Sequence, residues 1–178
     1  MDFITDLPPS RNNKAVYDVI LVIVDRFSKM SLYISAKKIW RAEDLADSFI
    51  KRVISRFGVP KGVVSNKGSV FISRMWAEIC TVIKQKRRLS TAFYLQTDGQ
   101  TERQNQTLET YLRIFVNNQQ DNWASLLPLT EFACNNSKHS AIGMSPLTMV
   151  YKDWQPRVSW VDWPQSGPVR TVAFFGDC

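Results

Sequence analysis

Residues 17–25 read YDVILVIVD, a stretch in which residues 19–24 are all apolar and which ends at Asp25. An apolar run of this length without alternation is typical of a central strand that is buried on both faces. Residues 30–35 read MSLYIS and alternate less cleanly, and residues 25–29 form a connection of hairpin length. The sequence therefore predicts a hairpin of two paired strands, of which the first is central in a sheet.

The next part of the chain predicts helices on either side of a short strand. From about Glu43, apolar residues recur at helical spacing as far as Phe57, and Gly58 then forms a stop signal. Residues 61–65, KGVVS, predict a strand, and a second amphipathic helix follows a turn at residues 66–69. Asn66 is thus expected at the carboxyl end of a strand, where ligands bind in α/β sheets.

One long helix dominates the second half, and we expect it to begin near Gln100. Its core stripe has the spacing i, i+3, i+4, i+7, i+8 (Leu108, Tyr111, Leu112, Phe115, Val116). Glu102 lies in the first turn, away from that stripe. A strand at residues 87–92 and a polar loop at 94–99 are predicted before it. Asp121 is expected to cap a further helix that Pro128 kinks or divides, and a short helical piece covers residues 147–151.

The composition narrows the class of protein. The 178 residues carry 23 Lys and Arg against 16 Asp and Glu, a net charge of +7 that favours phosphate-bearing polymers as partners. A single His139 excludes a zinc site that needs two histidines, and three scattered cysteines indicate no disulfide framework. The longest apolar run is far shorter than the roughly 20 residues of a membrane helix. We therefore expect a soluble, intracellular protein of one domain without a membrane segment.

Three positions stand out as candidates for chemistry. Asp2 lies in a strand-like stretch, Asn66 follows a strand, and Glu102 opens a helix, with 35 residues between Asn66 and Glu102. Each also has an ordinary structural interpretation. Asp2 can be a solvated terminal charge, Asn66 a turn residue and Glu102 a partner of the helix dipole.

Four segments resemble the integrase catalytic core of gypsy-class LTR retrotransposons, a relative of the retroviral integrases. They read VIVDRFSKM, VVSNKGSVFIS, LSTAFYLQTDGQTERQNQTLE and FACNNSKHSAIGMSP. The resemblance covers about residues 1–151 and leaves 152–178 as an extension of unclear structure. It implies an α/β, RNase H-like fold with a five-stranded mixed sheet flanked by helices, whose first strand is truncated here.

The resemblance also implies a metal site and a reaction. The family has a motif of two Asp and one Glu, with 35 residues between the second Asp and the Glu. These three carboxylates bind two Mg²⁺ or Mn²⁺ ions, and the enzymes process DNA 3′ ends and join them to target DNA. Two such ions clamp the attacking and leaving oxygens of an in-line phosphodiester displacement. By position Asp2 matches the first carboxylate and Glu102 the third, whereas Asn66 replaces the second. An amide oxygen supplies no charge, so weakened metal binding and impaired catalysis are expected.

Residues beside these positions suit contacts to DNA. Lys67 and Arg103 are candidates for phosphate contacts, and Gln96, Gln100 and Asn105 for polar contacts. Where the family reads Y-H-P-Q-T-D-G-Q, residues 93–100 read FYLQTDGQ, so the loop before Glu102 lacks the usual His and Pro. Restoring a carboxylate at position 66 alone is therefore not expected to guarantee full activity.

The resemblance implies LTR ends and target DNA as partners, a nuclear location, and a homodimer as in retroviral relatives. Two other interpretations stay open because of Asn66. One is a non-catalytic nucleic-acid- or protein-binding module with the same fold. The other is a decaying fragment of a polyprotein. Measurements of metal binding and turnover separate the hypothesis of an integrase from these two interpretations.

Overall fold

The computed structural model describes residues 1–12, 15–65, 69–82, 92–94 and 99–152, with the backbone alone at 69–72, 92–94 and 99–103. Five strands come first, and helices with two further strands follow. In order they are β1 (Asp2–Ile4), β2 (Ser10–Asn12), β3 (Ala15–Tyr17), β4 (Val19–Val24), β5 (Ser31–Ala36), α1 (Ala42–Phe49), a π-helical turn (Ile50–Ile54), α2 (Ser55–Phe57), β6 (Gly62–Val64), α3 (Ser69–Val82), β7 (Ala92–Tyr94), α4 (Gly99–Phe115), α5 (Trp123–Asn136) and α6 (Pro146–Tyr151).

The predicted hairpin forms one side of the sheet. β4 pairs antiparallel with β5 and with β1, in the order β1-β4-β5, so that Val22 lies between Asp2 and Tyr33. β6 and β7 pair in parallel. The Met1 ammonium donates to the Val64 carbonyl oxygen at 2.7 Å and so links β1 to β6. These five strands have both orientations, as the resemblance implied, and β2 and β3 form a separate hairpin that the sequence did not predict.

The sheet carries a core on each face because side chains alternate along a strand. Leu21, Leu32 and Ile34 pack on one face against α1 and α3, and this is called the α1/α3 face below. Ile20, Val22 and Tyr33 pack on the opposite face, which α4 and α5 cover and which is called the α4/α5 face. Each face thus has its own buried cluster of apolar side chains.

The helix over residues 42–57 departs from the predicted regular pattern. It includes the π-helical turn, and Phe57, which we placed on the core face, is 42% exposed. A π-helical turn bonds residue i to i+5 and holds more residues than an α turn. Phe57 lies on the same side as Phe49 and Val53, since all three line one cavity, and its side chain is exposed because that cavity is open.

The start of α5 differs from the predicted Asp121 cap. The cap residue is Asn122, and its side chain makes no capping bond. Instead Ser10 Oγ, which is contributed by β2, accepts from the Ala124 N–H at 3.0 Å and donates to the Asp121 carbonyl at 2.7 Å. A distant strand thus supplies the oxygen that a local cap supplies in other helices.

Pro128 does not divide α5, because the helix continues through it from Trp123 to Asn136. Proline has no N–H to donate to the carbonyl four residues earlier, which here belongs to Ala124. Asn12 Nδ2 donates to that carbonyl oxygen at 3.2 Å. The β2-β3 hairpin therefore satisfies the acceptor that Pro128 leaves without its helical partner.

The remaining predictions are settled for only part of the chain. β6, α3, α4 and α6 match the predicted strand and helices, although α4 begins at Gly99. The strand predicted at 87–92 falls largely outside the described residues, and β7 extends to Tyr94 instead. Within the described residues Cys80 and Cys134 form no disulfide. No helix in the described ranges is long and apolar enough to cross a membrane.

Candidate active site

Asp2 lies on β1, an edge strand of the β1-β4-β5 sheet that Met1 links to β6 through one hydrogen bond. Met1 and Phe3 contribute to the core of the α1/α3 face and Ile4 to that of the α4/α5 face, so alternation places Asp2 toward α4. The Asp2 side chain is half-buried, and its Oδ2 accepts a hydrogen bond from Asn105 Nδ2 at 2.9 Å. Its Oδ1 accepts from the Phe3 N–H at 2.7 Å. The carboxylate is thus held from both oxygens.

Asn105 connects Asp2 to the helix that carries Glu102. α4 includes both residues, and residues three apart lie on the same side of a helix, one turn from each other. The predicted place of Glu102 in the first turn is confirmed by the start of α4 at Gly99. The bond from Asn105 therefore fixes the first turn of α4 beside β1.

The other predicted site residues are described only in part or not at all. Asn66, Lys67 and Gln96 lie outside the described residues, and of Gln100 and Arg103 the structure gives only the backbone in α4. Described residues that adjoin Asp2 and Asn66 in the sequence are nevertheless in contact. Met1 precedes Asp2, and the carbonyl to which it donates belongs to Val64, two residues before Asn66. The proposed roles of these residues stay predictions.

The residues around Asp2 offer oxygen atoms, which are the ligands that a hard divalent cation prefers. Mg²⁺ and Mn²⁺ prefer oxygen ligands, and Asp2 supplies a carboxylate. Beside it, Asn105 Oδ1 is buried and has no hydrogen-bond partner among the described residues. An oxygen without a partner is costly to bury unless something else binds it. The described residues alone hold no group of three metal-ligating side chains, since Asn66 and the Glu102 side chain are not among them.

The Asn105 contact with Asp2 was missed by the sequence reasoning, which assigned Asn105 to DNA. The only available signal was its position three residues after Glu102 on the same helical stripe. A second contact was missed beside it, in which Gln104 Nε2 donates to the Tyr33 hydroxyl at 2.5 Å. Burial raises the pKa of Tyr33 well above its ordinary value, so the phenol stays neutral and holds Gln104 through its oxygen.

Side chains of α5 bond to the outer edge of β5 on the same face. Asn135 Oδ1 accepts from the Ser31 N–H at 2.8 Å, and Asn135 Nδ2 donates to the Ser31 carbonyl at 2.7 Å. Glu131 Oε2 accepts from the Tyr33 N–H at 2.9 Å and lies 3.4 Å from Arg52 Nη2. Burial raises the pKa of Glu131 despite the hydrogen bond and Arg52. The side chains of Asn135 and Glu131 thus bond to backbone groups of β5 that a neighbouring strand would otherwise pair with.

Comparison with known proteins gives sequence relatives among retrotransposons. The chain is 37% identical over 164 residues to the Transposon Tf2-3 polyprotein of Schizosaccharomyces pombe, which covers 92% of this chain and 12% of the relative. The Transposon Tf2-4 polyprotein of the same organism matches to the same extent. The chain therefore spans about 12% of the length of these curated relatives. No protein-family model matches it.

Solved structures with a similar fold are retroviral integrases. The HTLV-2 integrase catalytic core domain in complex with magnesium, in its trimeric form, has a TM-score of 0.56 at 19% identity, covering 83% of this chain and 93% of that one. A chain of the simian T-cell lymphotropic virus intasome in complex with PP2A regulatory subunit B56 gamma has a TM-score of 0.59 at 19% identity, covering 94% and 58%. The predicted RNase H-like fold is confirmed by these likenesses. In sequence the chain is thus similar to part of retrotransposon polyproteins, and in fold it is similar to retroviral integrase catalytic cores.

Proposed function

We propose that this chain is the catalytic core of an integrase that processes DNA 3′ ends and joins them to target DNA by metal-assisted phosphoryl transfer. The observation that carries the proposal is the hydrogen bond from Asn105 to Asp2. It holds the helix that contains Glu102 against the strand that contains Asp2, which are the positions of the first and third carboxylates of the motif. The retrotransposon relatives and the integrase-like fold support this interpretation of the geometry.

In this proposal Asp2, Asn66 and Glu102 hold the divalent cations. When bound, Mg²⁺ or Mn²⁺ lowers the pKa of an attacking water or hydroxyl and offsets the charge on the leaving oxygen. Asn105 acts as a positioning residue, because it donates to one Asp2 oxygen and fixes the rotation of the carboxylate. The HTLV-2 core solved with magnesium supports the choice of cation.

Asn66 makes the activity of this chain weaker than that of a core with three carboxylates. An asparagine oxygen can ligate a cation, but it contributes no formal charge and has a single oxygen where a carboxylate has two. Mg²⁺ and Mn²⁺ sites depend on carboxylates for much of their affinity. We therefore propose that metal binding and turnover are both reduced by this one substitution.

The proposed partners are the LTR ends and the target DNA. The net charge of +7 supports a polyanionic partner, and Lys67, Gln96, Gln100, Arg103 and Asn105 are the proposed contacts. A nuclear location follows from a DNA target. Trimeric and dimeric forms of the HTLV-2 core support self-association, and we propose a homodimer for this chain.

A second candidate function is favoured by Asn66 itself. A core that has lost one of three carboxylates can keep its fold, since the buried clusters described on the two sheet faces consist of apolar side chains. Such a core would bind nucleic acid or protein without catalysis. The two candidates differ in turnover and agree in fold, so an activity measurement on folded variants separates them.

The test is a disintegration assay, which resolves a branched DNA that mimics the joined product, carried out with Mn²⁺. It compares the unaltered chain, Asn66→Asp, and Asn66→Asp combined with Glu102→Gln as the matched control. We expect the unaltered chain to be nearly silent, Asn66→Asp to be active, and the double variant to be silent.

Two outcomes would contradict the proposal. Activity in the unaltered chain equal to that of Asn66→Asp would show that Asn66 is a tolerated ligand and would remove the proposed impairment. Silence of Asn66→Asp in a folded protein would favour the binding module. Circular dichroism on all three proteins shows whether they are folded.

A further inference from the structure

An apolar groove opens on the α1/α3 face of the sheet, away from Asp2. Its volume is about 610 Å³, a size typical of ligand pockets. Its floor is part of the buried core, including Met1, Leu32, Phe49, Val53 and Val63. Whatever enters the groove would therefore pack directly on the core of this face.

The rim of the groove exposes large apolar side chains to solvent. Phe27 in the β4-β5 turn is 75% exposed, Phe57 at the end of α2 is 42% exposed, and Val150 on α6 is 36% exposed. Apolar groups collected around a cavity mark a docking surface more often than scattered single residues do. Arg26 and Lys61 add positive charge at the same rim.

The position of α6 identifies the segment best placed to occupy the groove. Met149 and Val150 form part of its wall, and α6 ends at Tyr151. Lys152 has a φ of 49°, so the chain turns there and does not continue the helix. Residues 153–178 follow, and Trp154 is four residues after Val150, at most about 14 Å of extended chain.

We propose that the segment after α6 docks into this groove, with the Trp154 indole as the group that enters it. An indole is large and apolar and carries one N–H, which suits a cavity with an apolar floor and a polar rim. Asp153, the neighbouring residue, has the charge that complements Arg26 and Lys61. The tether also favours this segment over a second copy of the chain, since a short linker gives an effective concentration of about millimolar.

The methionines of the chain provide the test, because three of the five line the groove. Met1, Met30 and Met149 line it, whereas Met75 is fully buried in the core. With the full chain labelled at the methionine methyl carbons, we compare NMR spectra of the unaltered protein and Trp154→Leu. We expect the Met30 and Met149 methyl resonances to move when the indole ring current is removed, and that of Met75 to stay in place.

Trp160→Leu is the matched control, because it removes an indole from the same segment at a greater distance from α6. It should leave all the methyl resonances unchanged. The proposal is wrong if Trp154→Leu leaves Met30 and Met149 unchanged, or if Trp160→Leu moves them in its place. Shifts that disappear on dilution of the unaltered protein would assign the groove to a second copy and would likewise overturn it.

Discussion

Both faces of the sheet pack on their helices through apolar clusters, but on the α4/α5 face side-chain hydrogen bonds also join helices to strands. On the α4/α5 face, polar side chains reach the strands, as Asn105 reaches Asp2 and Asn135 reaches the backbone of Ser31. On the α1/α3 face, the helices pack through apolar side chains such as Leu45 and open into the apolar groove. The chemistry proposed for the chain belongs to the first face alone.

This difference separates stability from positioning. Apolar packing is strong in total but non-directional, so it fixes helices to a sheet without fixing individual oxygens. Hydrogen bonds require specific distances and angles, and a carboxylate that ligates a metal has to be held in one orientation. We therefore expect substitutions on the α1/α3 face to lower stability most, and those near Asp2 to lower metal affinity with little loss of stability.

The largest effect on stability is expected for Leu45→Ala. Leu45 is 1% exposed on α1, and removing its side chain leaves a cavity in the core of the α1/α3 face. We expect a loss of about 3 kcal/mol in the free energy of unfolding, measured by urea denaturation. Ile39→Ala is the control, since Ile39 is 82% exposed and should change the same quantity by less than about 0.5 kcal/mol. Equal losses in the two variants would contradict the assignment of this core.

A smaller loss is expected for Asn135→Ala on the opposite face. The change leaves the Ser31 N–H and carbonyl buried without their side-chain partner. We expect the free energy of unfolding, measured by urea denaturation, to fall by about 2 kcal/mol, because buried polar groups without partners are unfavourable. Asn135→Asp keeps an acceptor for the N–H but sets a buried carboxylate against the Ser31 carbonyl oxygen, so a loss at least as large is expected. A neutral Asn135→Ala would show that the β5 edge does not need this bond.

The smallest expected effect is a dependence of stability on pH that comes from Glu131. Burial raises the pKa of Glu131 above its ordinary value of 4.5, so the folded protein binds this proton more tightly than the unfolded chain does. Its contribution to stability therefore falls as the pH rises from about 4.5 through the raised pKa. Glu131→Gln keeps the acceptor for the Tyr33 N–H and removes the titration.

Urea denaturation of both proteins across the pH range tests this prediction. The stability of the unaltered chain relative to Glu131→Gln should decrease as the pH rises. Arg52 and Arg56 lower the pKa of Glu131 and oppose the trend, so replacing Arg52 by Gln should enlarge it. Parallel stability curves for the unaltered chain and Glu131→Gln would contradict a raised pKa.

Much of the fold could be predicted because it depends on local pattern. The apolar run at residues 19–24 predicted β4, and the stripe from Leu108 to Val116 predicted α4. Two of the departures, both at α5, share one physical cause. The cap of α5 comes from Ser10, and the acceptor left by Pro128 is bonded by Asn12. Both partners are more than 100 residues away in the chain, so no local pattern contains them.

The candidate site was predictable in part. Asp2 and Glu102 were named through the resemblance and the 35-residue interval, and their elements were placed correctly as a strand and the first turn of a helix. The bond from Asn105 to Asp2 depends on how α4 packs across the sheet, which spacing does not reveal. The DNA contact predicted for Asn105 stays a prediction beside this observed bond.

The most direct test of the central claim is the affinity for Mn²⁺, measured by electron paramagnetic resonance on folded protein. Three proteins are compared: the unaltered chain, Asn66→Asp, and Asn66→Asp combined with Asn105→Ala. We predict that Asn66→Asp binds Mn²⁺ more tightly than the unaltered chain, and that adding Asn105→Ala weakens this binding about 10-fold as Asp2 loses its positioning bond. Equal affinities in the unaltered chain and Asn66→Asp would contradict a cation site at Asp2, Asn66 and Glu102.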